Sequence, residues 1–207
     1  MARIIFSMER GVPAPWTPDE NLIYFLETVT TDGITGYDTG DPYLSLFQDS
    51  FSCSFFLTTG IATYGGIGCN DKHDATSFSQ FKIWVDNTFD KRITAQYDDG
   101  KSPSNSVTVE MAMSSWDAVT RTHFTVVINN STRIAYIYKN KVDATDSQNF
   151  SAGVDMSAYH SSLNPFLGAL NQWSGVSNEF AATFDHVRYY NIPLTPDQVT
   201  TVYDNDL

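Results

Sequence analysis

Two pairs of aspartates lie close enough in sequence to share one cation. Asp38 and Asp41 fall in a Gly-rich loop, and Asp71 and Asp74 form the second pair. Carboxylate and carbonyl oxygens are the ligands that Ca²⁺ prefers in proteins. Aspartates are also common in turns, where the side chain bonds the nearby backbone. Each pair therefore has two open interpretations, a calcium site and a solvated turn.

Two clusters combine an aromatic ring with hydrogen-bonding side chains, which is the chemistry that binds sugars. The ring stacks on the apolar face of the sugar, and amides or carboxylates bind its hydroxyls; such groups belong on loops. The first cluster is Tyr37 with Asp38 and Asp41. The second is Tyr159 and His160 with Asn171, Gln172 and Trp173. Other aromatic residues are predicted to be core: Trp84, Phe124, Tyr136 and Phe184.

Residues for hydrolytic or metal-dependent catalysis are scattered. The four histidines, His73, His123, His160 and His186, lack the short spacings of zinc sites. The sequence contains neither a Gly-x-Ser-x-Gly nucleophile elbow nor a phosphate-binding loop. Its five glutamates are also dispersed. The sequence predicts that the protein is not an enzyme.

The elements that must position these residues are strands. Short runs that alternate apolar and polar side chains recur between clusters of Gly, Asp, Asn, Ser and Pro, which is typical of an antiparallel sandwich. We predict strands over Arg3–Met8, Leu22–Thr28, Tyr43–Phe47, Ser52–Thr58, Ala62–Ile67, Phe81–Val85, Arg92–Tyr97, Val107–Met111, Thr122–Asn129, Ile134–Lys139 and Phe180–Tyr190. The predicted fold is all-β, an antiparallel two-sheet jelly-roll sandwich with one short C-terminal helix.

That helix is predicted from a capping box. Thr195 is a suitable N-cap, Pro196 suits the first helical position, and Gln198 can complete the box. The helix should run to about Tyr203. At the other end of the chain, residues 1–20 are predicted to be a docking arm on a single domain of residues 1–207, although Trp16 suggests docking on the domain itself.

Composition restricts the partners. The formal net charge is −12 and charged residues make up only 17% of the chain, without a Lys/Arg run. Nucleic acid is therefore excluded as a partner, because its phosphates need a basic surface. The sequence contains no run of about 18 apolar residues, so membrane insertion is not expected. Cys53 and Cys69 are expected to be two free, buried thiols, with one bridge as the alternative.

The end of the chain carries a family resemblance. From Phe180 to Tyr203 it reads FAATFDHVRYYNIPLTPDQVTTVY, and Thr122–Asn140 pairs a His-containing strand with a Tyr-rich strand. These segments resemble the laminin G-like and concanavalin A-like lectin/glucanase domains. The resemblance implies the lectin-like sandwich. It also implies that Asp185 is a structural residue, although some domains of this family bind calcium.

Glucanases of this fold use two Glu with an Asp between them on one strand, because retaining hydrolysis needs two carboxyl groups about 5 Å apart. This chain lacks that cluster. The resemblance therefore implies a non-catalytic protein that binds glycans. Its predicted place is a virion surface, as a decoration or fibre-type component contacting capsid or tail proteins and forming a homo-oligomer. The alternatives are an extracellular adhesion module of a cellular protein and a polysaccharide-degrading enzyme.

Overall fold

A computed structural model describes eleven stretches of the chain. They are residues 16–32, 37–38, 50–58, 65–71, 79–86, 92–99, 105–112, 120–155, 166–172, 175–177 and 181–207. The predicted strands Arg3–Met8 and Tyr43–Phe47 lie outside the described residues, as do residues 1–15 of the predicted docking arm.

The described strands form two large antiparallel sheets. The six-stranded sheet has the order β1 (Leu22–Asp32), β15 (Ala181–Tyr190), β3 (Phe51–Thr58), β8 (Thr122–Asn129), β9 (Ile134–Lys139) and β10 (Val142–Asp143). The seven-stranded sheet has the order β11 (Ser147–Phe150), β7 (Ser106–Ala112), β6 (Arg92–Asp99), β5 (Ser79–Asp86), β4 (Gly65–Asp71), β12 (Phe166–Leu167) and β2 (Tyr37–Asp38). A small hairpin joins β13 (Leu170–Gln172) to β14 (Gly175–Ser177). The predicted sandwich is confirmed.

The main core lies between the two sheets and follows from the alternation within each strand. Successive strand residues point to opposite faces, so Phe81, Ile83 and Val85 of β5 all face inward and are buried. The rings of Phe51 and Phe81 meet edge to face across the interface, with centroids 4.8 Å apart. This core fixes which side chains of each sheet face outward.

A smaller core lies on the outer face of the six-stranded sheet. Helix α1 (Pro196–Asn205) begins at the N-cap Thr195, and both bonds of the predicted capping box are present. Its Val199 and Val202 pack with outward side chains of the sheet, among them Val127 and Tyr190. Trp16 packs on the same cluster, its ring centroid 6.1 Å from that of Tyr190. Residues 16–20 of the predicted arm thus lie against the domain.

Strand positions agree closely with the alternation pattern. Thr122–Asn129 and Ile134–Lys139 have the predicted bounds, and six of the other predicted strands differ mainly at their ends. Of the strand predicted over Ala62–Ile67, residues 62–64 lie outside the described residues, and the remainder opens β4 (Gly65–Asp71). His186 of β15 occupies a bulge with a φ of 48°. A bulged residue is left out of the ladder.

Cys53 does not form the disulfide considered as an alternative. Its thiol is free and buried, so it does not bridge to Cys69. Burial raises the pKa of the Cys53 thiol to about 12, which makes it unreactive at neutral pH. Within the described residues, no helix has the length and apolarity needed to cross a membrane.

Candidate functional site

Polar side chains cover much of the outer face of the seven-stranded sheet. In β5, Lys82 and Trp84 alternate with the inward Phe81, Ile83 and Val85. The neighbouring strands β6 and β7 alternate in the same way, so their polar residues point outward together. We call this surface the polar face and define it by Lys82, Trp84, Arg92, Thr94, Gln96, Thr108, Glu110 and Ser147.

Strand register brings these residues into rows. One row joins Trp84, Thr94, Glu110 and Ser147 across four strands. The next row joins Lys82, Gln96 and Thr108. Strands lie about 4.8 Å apart and same-face residues about 6.8 Å apart along a strand. The backbone positions of three strands and three rows therefore span about 10 Å by 14 Å, an area suited to one or two sugar rings.

An ion pair and an aromatic platform stand side by side on the polar face. Arg92 donates a hydrogen bond from Nη1 to Oε2 of Glu110, and the Ser147 hydroxyl donates to the same oxygen at 2.7 Å. The Nζ of Lys82 lies 4.9 Å from the ring centroid of Trp84. The Arg92 and Glu110 side chains remain 35% and 24% exposed. Both charges are therefore held in place yet accessible to a ligand.

Two outward positions of β6 are buried. Thr94 is only 4% exposed although its side chain points away from the core. Asp98, on the same outward side of β6, is 7% exposed. Arg92 and Trp84 are half-buried on the same face. A surface with a cation, a carboxylate, amide and hydroxyl groups and an indole can bind a polar ligand that has one apolar face.

The predicted loop clusters are only partly described. Tyr37 is exposed on the edge strand β2, and Asp38 follows it. Asn171 and Gln172 lie in β13, beside the small hairpin's turn. Tyr159, His160, Trp173 and Asp41 lie outside the described residues.

One predicted residue does share a row with the polar face. Through β12 and β4, the register aligns Asp38 with Lys82. Three strand spacings separate the two backbones, which is about 14 Å. The Asp38 backbone therefore lies at the edge of the sheet that carries the polar face.

The predicted calcium ligands are spread over the same edge. Asp38 lies in β2 and Asp71 in β4, with β12 between them, so their backbones are about 10 Å or more apart. Asp74 and Asp41 lie outside the described residues. Among the residues that the structure describes, no three His, Cys, Asp or Glu side chains group to hold a metal ion. Calcium binding remains a prediction.

Two aromatic residues predicted as core are not fully buried. Trp84 lies in neither core cluster because its strand neighbours take the inward positions. Tyr136 is half-buried beside the smaller core. Phe124 and Phe184 are fully buried, as predicted. Asp185 accepts hydrogen bonds from Thr28 and Arg121, which fits the structural role implied by the resemblance.

Sequence reasoning missed Arg92, Glu110 and Ser147 because it searched loops. The signal was present in the strands, where Lys82 and Trp84, Thr94 and Gln96, and Thr108 and Glu110 alternate with apolar residues. Three such strands in one sheet must present a common polar face. Only the pairing of the strands shows that their polar positions align.

Solved structures with a similar fold include sialidases and a sialidase binding module. The chain aligns with the CBM40 module of the Ruminococcus gnavus IT-sialidase, bound to α2,3-sialyllactose, at a TM-score of 0.68 and 9% identity. The alignment covers 88% of this chain and 99% of the module. The same module bound to α2,6-sialyllactose aligns at a TM-score of 0.67 and 10% identity.

A longer enzyme also contains this fold. The NanB sialidase of Streptococcus pneumoniae aligns at a TM-score of 0.70 and 14% identity, over 87% of this chain and 28% of the enzyme. The chain thus spans just over a quarter of that sialidase. No family model matches the sequence, and neither does any curated protein. At these identities the likenesses show the fold alone: a lectin-like β-sandwich of the kind found in carbohydrate-binding modules.

Proposed function

We propose that this protein is a non-catalytic carbohydrate-binding domain whose polar face binds an acidic, sialylated glycan. The observation that carries the proposal is the pairing of Arg92 with Glu110 beside Trp84 on one outward sheet face. These residues supply a cation, a hydrogen-bond acceptor and an aromatic surface within reach of one ligand.

Electrostatics gives each of these groups a role. The planar guanidinium of Arg92 matches a carboxylate, which is the acidic group of a sialic acid. Glu110 can accept hydrogen bonds from sugar hydroxyls, and Trp84 offers its ring to an apolar sugar face. The net charge of −12 repels anions generally. An acidic ligand therefore needs a local cation, and Lys82 and Arg92 provide two on this face.

The similar structures support this choice of ligand. Two of them hold sialyllactose on a module that the chain matches over nearly its whole length. The similar structures share only the fold with this chain, and the assignment of the ligand is our proposal.

The proposal is tested by titrating the protein with 3′-sialyllactose, 6′-sialyllactose and lactose by isothermal calorimetry. We expect binding of at least one sialylated sugar and weaker binding of lactose. Arg92→Ala should weaken that binding by about tenfold or more, since a charge-assisted hydrogen bond contributes about 1.5–3 kcal/mol. Trp84→Ala should weaken it through the lost ring contact.

The matched control is Lys141→Ala. Lys141 also pairs with a carboxylate, that of Asp204 at 2.7 Å, but on the other sheet. Its loss changes the net charge as Arg92→Ala does and should leave the titration unchanged. Repeating the titration with calcium and with a chelator tests the calcium prediction in the same experiment. Flat responses to every sugar, with folded protein in both conditions, would refute glycan binding by the polar face.

The remaining sequence predictions stay predictions. A virion decoration that contacts capsid or tail proteins, an extracellular location and homo-oligomer formation rest on composition and the family resemblance. The same holds for the laminin G-like label. Light scattering after size-exclusion chromatography would decide the oligomeric state.

A further inference from the structure

A cavity lies on the opposite side of the sandwich from the polar face. It is a cavity of about 260 Å³ between the β8–β9 hairpin and the segment that leads into helix α1. Helix α1 packs on the six-stranded sheet through Val199 and Val202. Because the helix begins only at Pro196, the part of the sheet beside its start is left uncovered. We call this site the tyrosine cavity, lined by Val127, Asn129, Thr132, Ile134, Tyr136, Tyr138, Pro193, Leu194, Thr195 and Pro196.

The lining of the tyrosine cavity is uncharged. Its base is apolar, with buried Val127, Leu194 and Tyr138. Its exposed rim carries Thr132 and Thr195. The chain has a net charge of −12, yet no charged residue lines this cavity. The absence of charge in the lining favours a neutral ligand there.

The helix start does not convert the cavity into an anion site. The Thr195 hydroxyl accepts a hydrogen bond from the Gln198 backbone nitrogen, and the Gln198 side chain accepts one from the Thr195 nitrogen. The capping box thereby engages the Thr195 and Gln198 nitrogens, two of the donors that would attract an anion. Asp197 adds a negative charge in the first turn. An anionic ligand would therefore meet repulsion at this rim.

Two tyrosines give the cavity both aromatic surface and hydroxyl groups. The rings of Tyr136 and Tyr138 lie with centroids 5.8 Å apart and tilted by 47°. Tyr138 is only 5% exposed, and Tyr136 is half-buried. Aromatic rings with polar tips suit a ligand that brings hydroxyl groups and one apolar face.

We infer that the tyrosine cavity is a second carbohydrate site, which takes a single neutral pyranose ring. The cavity is smaller than the roughly 300–1,000 Å³ of pockets for drug-sized ligands, so one small ring suits it. Tyr136 offers the stacking surface, and Asn129, Thr132 and Thr195 offer polar atoms at the rim. The inference extends the proposed function to a second ligand class, but it does not require the polar face to bind.

The two sites lie on outward faces of different sheets. Packed sheets are about 10 Å apart before their outward side chains are added. A single disaccharide cannot contact both faces, so each site would engage a different glycan chain or a distant part of one chain. A surface that displays both kinds of sugar would be bound through two contacts, which raises the overall affinity.

Saturation-transfer NMR on the full chain tests the second site with three neutral probes: methyl β-galactoside, methyl α-glucoside and N-acetylglucosamine. We expect at least one to bind, with a Kd on the order of 1 mM because the site is small and open. Thr132→Trp should abolish binding by filling the mouth of the cavity. Tyr136→Ala should weaken it by about tenfold or more, and Tyr136→Phe should retain the stacking part.

Val142→Trp is the matched control for the bulky substitution, because Val142 is 66% exposed on β10 and lies outside the cavity lining. It should leave neutral-sugar binding intact. Melting temperatures confirm that each variant is folded. Three results would overturn the inference: no neutral sugar binds the wild type, Thr132→Trp leaves binding unchanged, or a proline-rich peptide occupies the cavity in place of sugar.

The same variants separate the two proposals. Thr132→Trp should leave the sialyllactose titration unchanged, and Arg92→Ala should leave neutral-sugar binding unchanged. Wild-type protein that binds a neutral sugar but no sialyllactose would contradict the polar-face proposal alone. Wild-type protein that binds sialyllactose but no neutral sugar would contradict the tyrosine-cavity inference alone.

Discussion

At the scale of single residues, His123 shows how burial sets a charge state. Its side chain has no exposed area, and its Nε2 lies 2.7 Å from the Ser54 hydroxyl. Tyr203 of helix α1 packs on the imidazole, with ring centroids 5.4 Å apart. Burial lowers the pKa of His123 to about 4, with Asp206 opposing that change and Arg121 adding to it. The ring is therefore neutral at physiological pH.

This depressed pKa predicts a loss of stability on mild acidification. The unfolded chain binds a proton near pH 6.5, and the folded chain only near pH 4, so protons favour unfolding as the pH falls between these values. We expect the free energy of unfolding to drop by about 2 kcal/mol from pH 7 to pH 5. Urea denaturation at both values measures the drop.

His123→Gln is the control, since it keeps a polar group near Ser54 but does not titrate. Its unfolding free energy should be nearly independent of pH in that window, because unperturbed carboxylates titrate near pH 4. Equal pH slopes in the variant and the wild type would contradict the assignment to His123.

Trp84 shows where residue type misleads. A tryptophan in an apolar strand favours the core on hydrophobicity alone. Its neighbours Ile83 and Val85 are inward, and two successive strand residues cannot share a face. Alternation, and not side-chain type, places Trp84 on the polar face beside Lys82.

At the scale of elements, helix α1 was predictable because its start is encoded locally. Thr195, Pro196 and Gln198 are within four residues and form the cap without help from distant parts of the chain. The predicted end at about Tyr203 falls two residues short of Asn205. No glycine marks the C-terminus, so the sequence offers a weaker stop signal.

Loss of the cap should destabilise the domain through this one element. Thr195→Ala removes the hydroxyl that accepts from the Gln198 nitrogen at 3.3 Å. We expect the free energy of unfolding to fall by about 1 kcal/mol. Thermal and urea denaturation both report this change.

The same substitution inside the helix provides the comparison. Thr201 donates its hydroxyl proton to the Asp197 carbonyl oxygen within the helix, and alanine has the higher helix propensity. Thr201→Ala should therefore be neutral or slightly stabilising. A loss as large as that of Thr195→Ala would show that the cap is not the cause.

At the scale of the whole molecule, one ion pair ties the end of the chain to the closing strand. Arg188 of β15 donates from Nε and Nη2 to the two carboxylate oxygens of Asp206, at 3.0 and 2.7 Å. The side chains are 10% and 3% exposed. On the neighbouring strand β1, the ring centroid of Phe25 lies 4.5 Å from the guanidinium carbon of Arg188. Strand, helix end and chain terminus meet at this pair.

Breaking the pair should cost far more than breaking an exposed one. Asp206→Ala leaves the largely buried Arg188 charge with one carboxylate among the described residues, that of the exposed Asp19, 3.6 Å away. We expect a loss of about 3 kcal/mol in unfolding free energy. Asp204→Ala, which removes the exposed partner of Lys141, should lose at most about 1 kcal/mol. Similar losses for the two variants would contradict the structural role of the Arg188–Asp206 pair.

The sequence by itself determined the fold class, most strand positions and the capped helix. Alternation and capping are properties of neighbouring residues, so they can be seen without tertiary contacts. Tertiary structure alone decided which strands pair, and therefore that Trp84, Arg92, Glu110 and Ser147 share one face. Register couples residues far apart in sequence, and hydrophobic alternation within each strand does not encode which partner lies beside it.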